Sequence, residues 1–378
     1  VCSSDLNPTI GASPGYNFNA ASGVTPWIPG LTIDFPIETA GKRSLRIVHA
    51  QQQSEAARWN LFSAAWRVRA NVRDALSNFR YLGSLAGQLE HKHNAQQELV
   101  RVLEARHKAG ALSLSEVIPA RLAFERTKVE WDLAKENFHG ARARLAEPIG
   151  VPVTELESLA MSIGLYSPQL SDEQLRTMRA AALQGRADLR AALADYAASE
   201  AALRLEIAKQ YPDVRLGTGY QWDQGESKWT FLNFSAELPV FNRNQGPIAE
   251  ATAKREESAA RFSALQAKVM ADIDAAAAVF RTSRARTFST ATMFETLRQQ
   301  EQSIAAQIKA GAGDQLDLLN ARIERLTVEA LGTEVTYRAE VAINQLEDAL
   351  QQPLDRRPGA SAPPPGDSIQ VNSRNAKE

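Results

Sequence analysis

Few residues of this chain have the types and spacing that chemistry at a protein site requires. His91 and His93 lie two apart on a predicted helix and point to different sides, so they cannot chelate a metal as an i, i+4 pair can. The remaining histidines are His49, His107 and His139. There is no Gly-rich phosphate loop, HExxH pair or Ser/His/Asp arrangement. We therefore predict no enzymatic activity, no cofactor and no metal site, and interpret the histidines as solvated residues on helix faces.

The composition excludes several classes of protein. Lys+Arg number 43 against Asp+Glu 44, and the formal net charge of −1 argues against a nucleic-acid binder. Cys2 is the single cysteine, so it cannot close an intrachain disulfide, and no lipobox precedes it. No run of ~18 apolar residues predicts a membrane-spanning helix. Residues 1–6 offer neither the basic nor the apolar region of a signal peptide.

Most of the chain is predicted to form very long helices. Residues 44–109 and 248–310 contain no proline, and each run is far longer than the ~8–20 residues of an ordinary globular helix. At 1.5 Å per residue, a helix of ~64 residues would be roughly 95 Å long. Such lengths are typical of a coiled coil or a helical barrel. The segment from Pro353 onward is rich in Pro, Gly and Ser, and we predict a disordered tail over residues 354–378.

Two short regions alternate with period two, which predicts two β-hairpins at residues 8–38 and 211–241. One face of each hairpin is apolar and aromatic, and the other is small or polar. For isolated hairpins, the pattern favours a half-buried sheet covered by helices. It also fits lipid-facing residues around a polar lumen, as in an outer-membrane barrel. In that second interpretation the membrane-facing aromatic residues are Tyr16, Phe18, Trp27, Tyr220 and Trp222.

An internal repeat organises the chain. Asn7-Pro8 recurs as Tyr211-Pro212 at an offset of 204, and Lys108-Ala109-Gly110-Ala111 recurs as Lys309-Ala310-Gly311-Ala312 at an offset of 201. Both halves follow one order of strand, strand, long helix, break and return helix. We predict a first repeat over 1–152 (helical hairpin 44–147) and a second over 153–353 (helices 171–210, helical hairpin 247–351). Because the first half lacks the helices that precede the second hairpin, we expect N-terminal helices to be missing from it.

Each Lys-Ala-Gly-Ala break is predicted to be the tip of a helical hairpin. Gly110 and Gly311 suit the left-handed residue that ends a helix. Ser113 and Asp314 then stand as N-caps of the return helices, with acidic residues three positions later. Large residues recur every seven positions in the first return helix, which predicts tight antiparallel packing. These large residues are Val117, Phe124, Trp131, Phe138 and Leu145.

With these features, residues 7–353 resemble the TolC-type outer-membrane efflux channels. Two motifs carry the resemblance besides the duplicated plan. The first is GRADLRAALADYAASEAALRLEIAKQYPDVRLGTGY at 185–220, in which Ala187 stands where the family usually has proline. The second is LPVFNRNQGPIAEA at 238–251, whose FNRNQG wording is similar to the heavy-metal efflux branch.

The resemblance implies a mainly α fold with a small β part, in which the β-hairpins form a trimeric 12-stranded outer-membrane barrel and the helices a periplasmic α-barrel. The strand count agrees, because four strands cannot close a barrel and three copies would supply twelve. Dimers and tetramers remain open. The family implies a passive export duct of a tripartite efflux or type I secretion system in a Gram-negative outer membrane. Its partners would be outer-membrane lipid, a periplasmic adaptor and an inner-membrane pump.

By the same resemblance, the hairpin tips, residues 108–111 and 309–312, dock on the adaptor and close the tunnel. Asp317 matches an acidic ring of the family, Asn320 replaces its second acidic residue, and Glu116 matches the acidic position of the first hairpin. Asp317 can equally serve as a helix-cap acid, and for Glu116 the position favours the cap over the gate. Two alternative interpretations are a periplasmic adaptor and a structural coiled-coil protein of the cell envelope. The transported substrate is not legible in the sequence.

Overall fold

The computed structural model describes residues 7–157, 168–223, 225–237 and 239–354. The prediction of a mainly helical chain with a small sheet part is confirmed. The helices are α1 (Lys42–Lys108), α2 (Leu114–Ile149), α3 (Asp172–Gly185), α4 (Ala187–Ala208), α5 (Gln245–Lys309) and α6 (Gln315–Leu350), with a 3-10 turn at Glu155–Glu157. The strands are β1 (Thr9–Ala12), β2 (Gly15–Tyr16), β3 (Trp27–Ile28), β4 (Gly30–Ile37), β5 (Val214–Asp223) and β6 (Glu226–Ala236). Cys2 and residues 355–378 of the predicted tail lie outside the described residues. The first residue of that tail, Leu354, is ordered: it is buried and donates its N–H to Glu347 Oε1 at 2.7 Å.

The two halves of the chain place their elements at matching positions. The long helices α1 and α5 have 67 and 65 residues, and the return helices α2 and α6 have 36 each. Gly41 and Asn244, the residues before α1 and α5, both have positive φ, +70° and +59°. Gly150 and Gln351, which cap α2 and α6, are likewise left-handed. The repeat boundaries drawn from the sequence remain a prediction.

The FNRNQG motif forms the turn that leads into α5. Asn244 donates from its backbone N–H to Oδ1 of Asn242 at 2.9 Å, and its side-chain Nδ2 donates to the carbonyl oxygen and to Oε2 of Glu206, each at 2.8 Å. Gln210 Nε2 donates to the carbonyl oxygen of Arg243 at 3.0 Å. An asparagine is suited to this position because its short amide tolerates a left-handed backbone and satisfies local polar groups. The motif therefore fixes the turn to the end of α4.

The chain divides into two compact units, and each takes segments from both sequence repeats. The first unit comprises Val1–Ala65 and Leu183–Met270, and the second comprises Trp66–Ala182 and Ala271–Glu378. The first unit contains the sheet, together with α4, whose buried face is largely alanine. Small residues on that face allow neighbouring backbones to approach closely. None of the described helices is long and apolar enough to cross a membrane.

Four antiparallel strands of the first unit form one sheet in the order β1-β4-β5-β6, and β2 pairs with β3 in a separate short ladder. The register places Ile10 opposite Ile33, and Leu31 opposite Tyr220. Between β5 and β6 the register shifts at Gly217/Gly219, so that β6 has one residue more than β5 there. Such a bulge reverses the phase of the alternation along the bulged strand.

In the second unit, the heptad pattern of α2 is confirmed as a packing surface. Val117 and Leu145 of the predicted large residues are buried. The smaller residues Thr127, Ala134 and Ala141, which also recur every seven positions, are buried as well. Leu145 also belongs to a cluster of buried residues with Leu76, Ala146 and Leu156. The Phe138 ring stacks on Phe79, with the ring centroids 4.9 Å apart. It lies over Gly83, where an added Cβ would approach Phe138 Cε2 to 2.9 Å.

An ionic cluster fastens the end of α6 in the second unit. The Glu347 side chain is 1% exposed and pairs with Arg69 at 3.0 Å and with Arg73. Its other oxygen accepts the backbone N–H of Leu354 at 2.7 Å. Asn344 joins the cluster by accepting from Arg73 and donating to Asp74. A carboxylate this deeply buried is tolerated because both oxygens have partners.

We expect opposite effects from two glycine-to-alanine substitutions one turn apart in α1. Gly83→Ala should lower the free energy of unfolding by ~1 kcal/mol, because its methyl group displaces the Phe138 ring. Gly87→Ala should raise it by up to ~1 kcal/mol, since nothing lies within 4 Å of the added Cβ and alanine favours the helix. Thermal and denaturant unfolding followed by circular dichroism would measure both. Equal stabilisation by the two substitutions would show that Phe138 does not occupy the space over Gly83.

Candidate functional site

The sheet has two chemically different faces, because residues directly opposite each other in a ladder point the same way. The predicted alternation is confirmed by the register. On one face Phe35 lies opposite Leu216, which in turn lies opposite Phe234, and Tyr220 lies opposite both Leu31 and Trp229. The opposite face carries small and polar residues. They are Thr9, Gly11, Thr32, Asp34, Arg215, Gly217, Gly219, Gln221, Lys228, Thr230, Asn233 and Ser235.

Glycines on the polar face make room for side chains that fold across the strands. A Cβ at Gly217 would lie 2.1 Å from Asp34 Oδ1, and one at Gly11 would lie 2.8 Å from Thr32 Oγ1. Glycine is therefore required at both positions, because the side chains of Asp34 and Thr32 lie too close for a Cβ atom. The two glycines allow a carboxylate and a hydroxyl to lie flat against the sheet.

The apolar face is exposed in the single chain. Phe231 is 91% exposed, Trp229 66% and Phe234 63%. Isolated exposed apolar residues are ordinary, but a contiguous group of this kind marks a surface that another molecule or a membrane covers. The two edge strands add a second demand for a partner. Within the described chain the outer edges of β1 and β6 pair with nothing, and such edges promote association between chains.

The five aromatic residues predicted to face a membrane fall into two groups. Tyr16 makes edge contacts with Phe18 and Trp27, at centroid distances of 5.1 and 5.2 Å, on the β2–β3 ladder. Phe18 is 90% exposed. Tyr220 contacts Trp229 at 4.7 Å. Trp222 is also exposed, two positions from Tyr220 on β5.

Trp229 belongs to this apolar face, and sequence reasoning missed it. Along β6, strict alternation from Phe234 places only even-numbered residues such as Leu232 on this face. The bulge changes the phase, so Trp229 joins them. The residue type was a usable signal, because tryptophan is among the residues enriched at membrane interfaces.

The two helical hairpins of the second unit end in tips of the predicted form. Gly110 and Gly311 have φ of +75° and +79°. In each tip the N–H of the following alanine donates back across the turn: Ala111 to the Arg106 carbonyl at 2.9 Å, and Ala312 to the Gln307 carbonyl at 3.0 Å. This is the hydrogen-bonding pattern of a Schellman C-cap. All eight tip residues are exposed, namely Lys108, Ala109, Gly110, Ala111, Lys309, Ala310, Gly311 and Ala312.

Ser113 caps the first return helix together with Glu116. Glu116 Oε2 accepts from the backbone N–H and from the hydroxyl of Ser113, each at 2.8 Å. These two hydrogen bonds to the carboxylate hold the pKa of Glu116 below its usual value. The structure thus places Glu116 in a helix cap.

Asp314 caps the second return helix and also joins the two hairpins. Its Oδ1 accepts from the Leu316 N–H at 3.1 Å, while Arg106 at the end of α1 donates to Oδ2 at 2.9 Å and to Oδ1 at 2.6 Å. The bidentate Arg106 guanidinium, and after it the Leu316 N–H, lowers the pKa of Asp314 to about 2. The carboxylate of Asp317, one turn further along α6, also raises the pKa of Arg106, but less than Asp314 does.

Sequence reasoning missed Arg106 and the ion pair that it makes. Aligning the two repeats offers a signal, because Arg106 matches Gln307 and Ser113 matches Asp314 at the offset of 201. The duplicated tips therefore differ by one added cation in the first and one added anion in the second. Opposite charges gained at matching tips favour a contact between them.

Asp317 and Asn320 are both exposed on α6. Among the described residues Asp317 makes no hydrogen bond to the N-cap, in contrast to Glu116, since Asp314 performs the capping itself. The structure does not bring Glu116 and Asp317 into one cluster within the chain. In the described residues no group of three or more His, Cys, Asp or Glu side chains could hold a metal ion.

The expectation that all the histidines are solvated is wrong for His93. Its ring packs between Phe124 and Trp131, with centroid distances of 4.6 and 5.2 Å, and its Nδ1 is buried without a hydrogen-bond partner. His107 Nδ1 lies 2.8 Å from the Leu112 carbonyl oxygen. His91 and His139 are exposed, and His49 is half-buried. His93 escaped prediction because its neighbours come from the facing helix.

Comparison with known proteins agrees with this geometry. The family model described as outer membrane efflux protein matches residues 2–151 and 178–351. The cobalt-zinc-cadmium resistance protein CzcC of Cupriavidus metallidurans is 23% identical over 322 residues, covering 83% of this chain and 75% of that protein.

Solved structures show the same fold. The outer-membrane channel OprN superposes with a TM-score of 0.74 at 20% identity, covering 93% of this chain and 82% of that one. The outer membrane protein VceC of Vibrio cholerae gives a TM-score of 0.71 at 20% identity, over 93% of this chain and 87% of that one. Because the family model spans most of the chain, this protein belongs to the outer membrane efflux protein family and is an outer-membrane channel component of an efflux system.

Proposed function

We propose that three copies of this chain assemble into a passive export duct, in which the strands close a barrel through the outer membrane and the helices form a periplasmic tunnel. The observation that carries the proposal is the two-faced sheet with unpaired edges. Three copies would pair β1 of one copy with β6 of the next and leave no edge open. The apolar face of the sheet, with Tyr220 and Trp222, would then contact lipid, and so would the aromatic group at the β2–β3 ladder, which is Tyr16, Phe18 and Trp27.

The duct would work with a periplasmic adaptor and an inner-membrane pump, in a tripartite efflux or a type I secretion system. The exposed tips at residues 108–111 and 309–312 would be the adaptor contacts. Their small side chains suit a close approach of another helix. Neither an adaptor nor a purely structural coiled coil would account for the apolar face of the sheet.

The Arg106–Asp314 ion pair would hold the tunnel end closed, because it is a contact between the two hairpin tips. Opening requires the hairpins to move apart, which this bidentate pair opposes. Asp317, free of the cap, would form a ring of three carboxylates around the opening, with Asn320 as a neutral second ring. Glu116 would contribute to the cap of its own helix.

Metal cations are the proposed substrate, on two grounds. CzcC is named for resistance to cobalt, zinc and cadmium. A ring of Asp317 carboxylates would also favour cations over anions. The duct itself would need no metal site, since selection would belong to the pump.

One prediction tests which face of the sheet meets lipid. Phe234→Lys should reduce trimer insertion into liposomes strongly, because a lysine on the lipid face of a barrel costs ~2–4 kcal/mol near the bilayer midplane. Ser235→Lys, on the opposite face of the same strand, should insert normally. Heat-modifiable mobility on gels measures the inserted trimer. The lipid-facing assignment fails if both variants insert equally well.

A second prediction concerns the ion pair between the tips. Asp314→Asn keeps the N-cap acceptor but removes the charge, so it should raise the open probability in planar bilayers. Arg121→Gln, which removes a pair with Glu104 within the first hairpin, is the matched control and should leave gating unchanged. Equal gating by the unmodified protein and Asp314→Asn would overturn the role of the pair.

The same pair predicts a pH dependence. The folded pKa of Asp314, about 2, lies below its ordinary 3.8, so the stabilisation is complete above the ordinary value and is lost as the pH falls toward 2. The unmodified channel should therefore open further between about pH 4 and pH 2, a step that Asp314→Asn should lack.

A third prediction tests the acidic ring. Asp317→Ala should lower the cation-over-anion permeability ratio measured from reversal potentials across a salt gradient. Glu116→Ala should leave that ratio unchanged, because Glu116 is bound to Ser113, and should weaken the start of α2 instead. Unaltered selectivity in Asp317→Ala would exclude the ring.

A further inference from the structure

The second unit contains a cavity of about 380 Å³ between α1, α5 and α6, distant in sequence from the tips. This volume is at the small end of the range for ligand pockets in proteins. Its walls carry several hydroxyl groups, two carboxylates and the guanidinium of Arg80. Neither the sheet nor the tips explain them.

The threonine hydroxyls of the cavity present acceptors. Thr287, Thr290 and Thr336 each donate their hydroxyl hydrogen to the main-chain carbonyl four residues earlier, at 3.1, 2.9 and 2.8 Å. A hydroxyl that has donated in this way offers only its lone pairs to a ligand. The wall is therefore suited to a ligand that is positively charged or donates hydrogen bonds.

Glu340 adds a carboxylate whose ion-pair partner among the described residues, Arg80, is not in hydrogen-bonding contact. Its side chain is only 18% exposed, and its ion-pair contact with Arg80 Nη2 is long, at 3.7 Å. A carboxylate removed from water to this extent normally has a close cation or several hydrogen bonds. The other carboxylate, Glu329, is already bonded to Arg325 Nη1 at 2.7 Å. Glu340 is thus the group best placed to receive a cation.

A pair of tyrosines completes the cavity. Tyr81 and Tyr337 stack with centroids 4.5 Å apart and an interplanar angle of 8°. Burial, and after it the carboxylate of Glu334, raises the pKa of Tyr81. Burial, and after it the carboxylate of Asp74, raises the pKa of Tyr337, so both phenols stay protonated. Electron-rich aromatic faces attract organic cations.

We propose that this cavity binds a small organic ammonium ion with an apolar body. Its charge would pair with Glu340, its body would lie against the Tyr81–Tyr337 stack, and the threonine oxygens would face its polarised hydrogens. Failure of this proposal and failure of the proposed export function are distinguishable, because the test measures binding and not conductance.

The test is calorimetric titration of the purified full chain in detergent with benzyltrimethylammonium, and in parallel with benzenesulfonate, which has a similar ring and the opposite charge. We expect the cation to bind and the anion not to bind. Glu340→Gln should weaken cation binding by about tenfold, equivalent to ~1.4 kcal/mol. Glu324→Gln, an exposed acidic position on the same helix, should have no effect.

A second variant keeps the proposal testable if Glu340→Gln folds poorly. Ala291 lines the cavity from α5 and is exposed, so Ala291→Phe should fill the space and abolish binding without overpacking a core. Ala285→Phe, at an exposed position of α5 away from the lining residues, is its control. The proposal is overturned if the unmodified protein does not bind the cation, if benzenesulfonate binds as well, or if Ala291→Phe binds normally.

Discussion

The structure depends on one constraint, which is that the strand register keeps most of the apolar side chains on one face of the sheet and most of the polar ones on the other. Phe35, Leu216 and Phe234 lie in one row, and Asp34, Gly217 and Asn233 in the adjacent row on the other face. An exposed apolar face and two unpaired edges both favour contact with another molecule or with lipid. In the proposed trimer, pairing between copies would satisfy the edges, and lipid would cover the apolar face.

The duplicated helices show how a repeat acquires different uses for its two copies. The tips share their geometry, including the left-handed glycine and the capped return helix. They differ in charge, because Arg106 of the first tip matches Gln307, and Asp314 of the second matches Ser113. One bidentate ion pair thereby joins two tips that are otherwise equivalent. Glu116 is hydrogen-bonded in the cap of α2, whereas the cap of α6 is made by Asp314 and does not use Asp317.

Much of the fold and part of the site could be predicted from the sequence. The helix ends, the tip glycines and the faces of β4 and β5 follow from rules that act within a few residues. Trp229, His93 and Arg106 could not be placed by such rules. The bulge in β6 places Trp229, an odd-numbered residue, on the same face as the even-numbered Phe234. The rings that contact His93 are those of Phe124 and Trp131, which belong to the facing helix α2.

The sequence by itself determined which segments are helix or strand, where they turn and which strand face is apolar, because periodicity, caps and glycines are local properties of the chain. Only the tertiary structure decided which side chains from distant segments meet. Arg106 and Asp314 are 208 residues apart. The cavity around Glu340 requires the mutual register of three helices, and that register is set by packing rather than by any pattern within one of them.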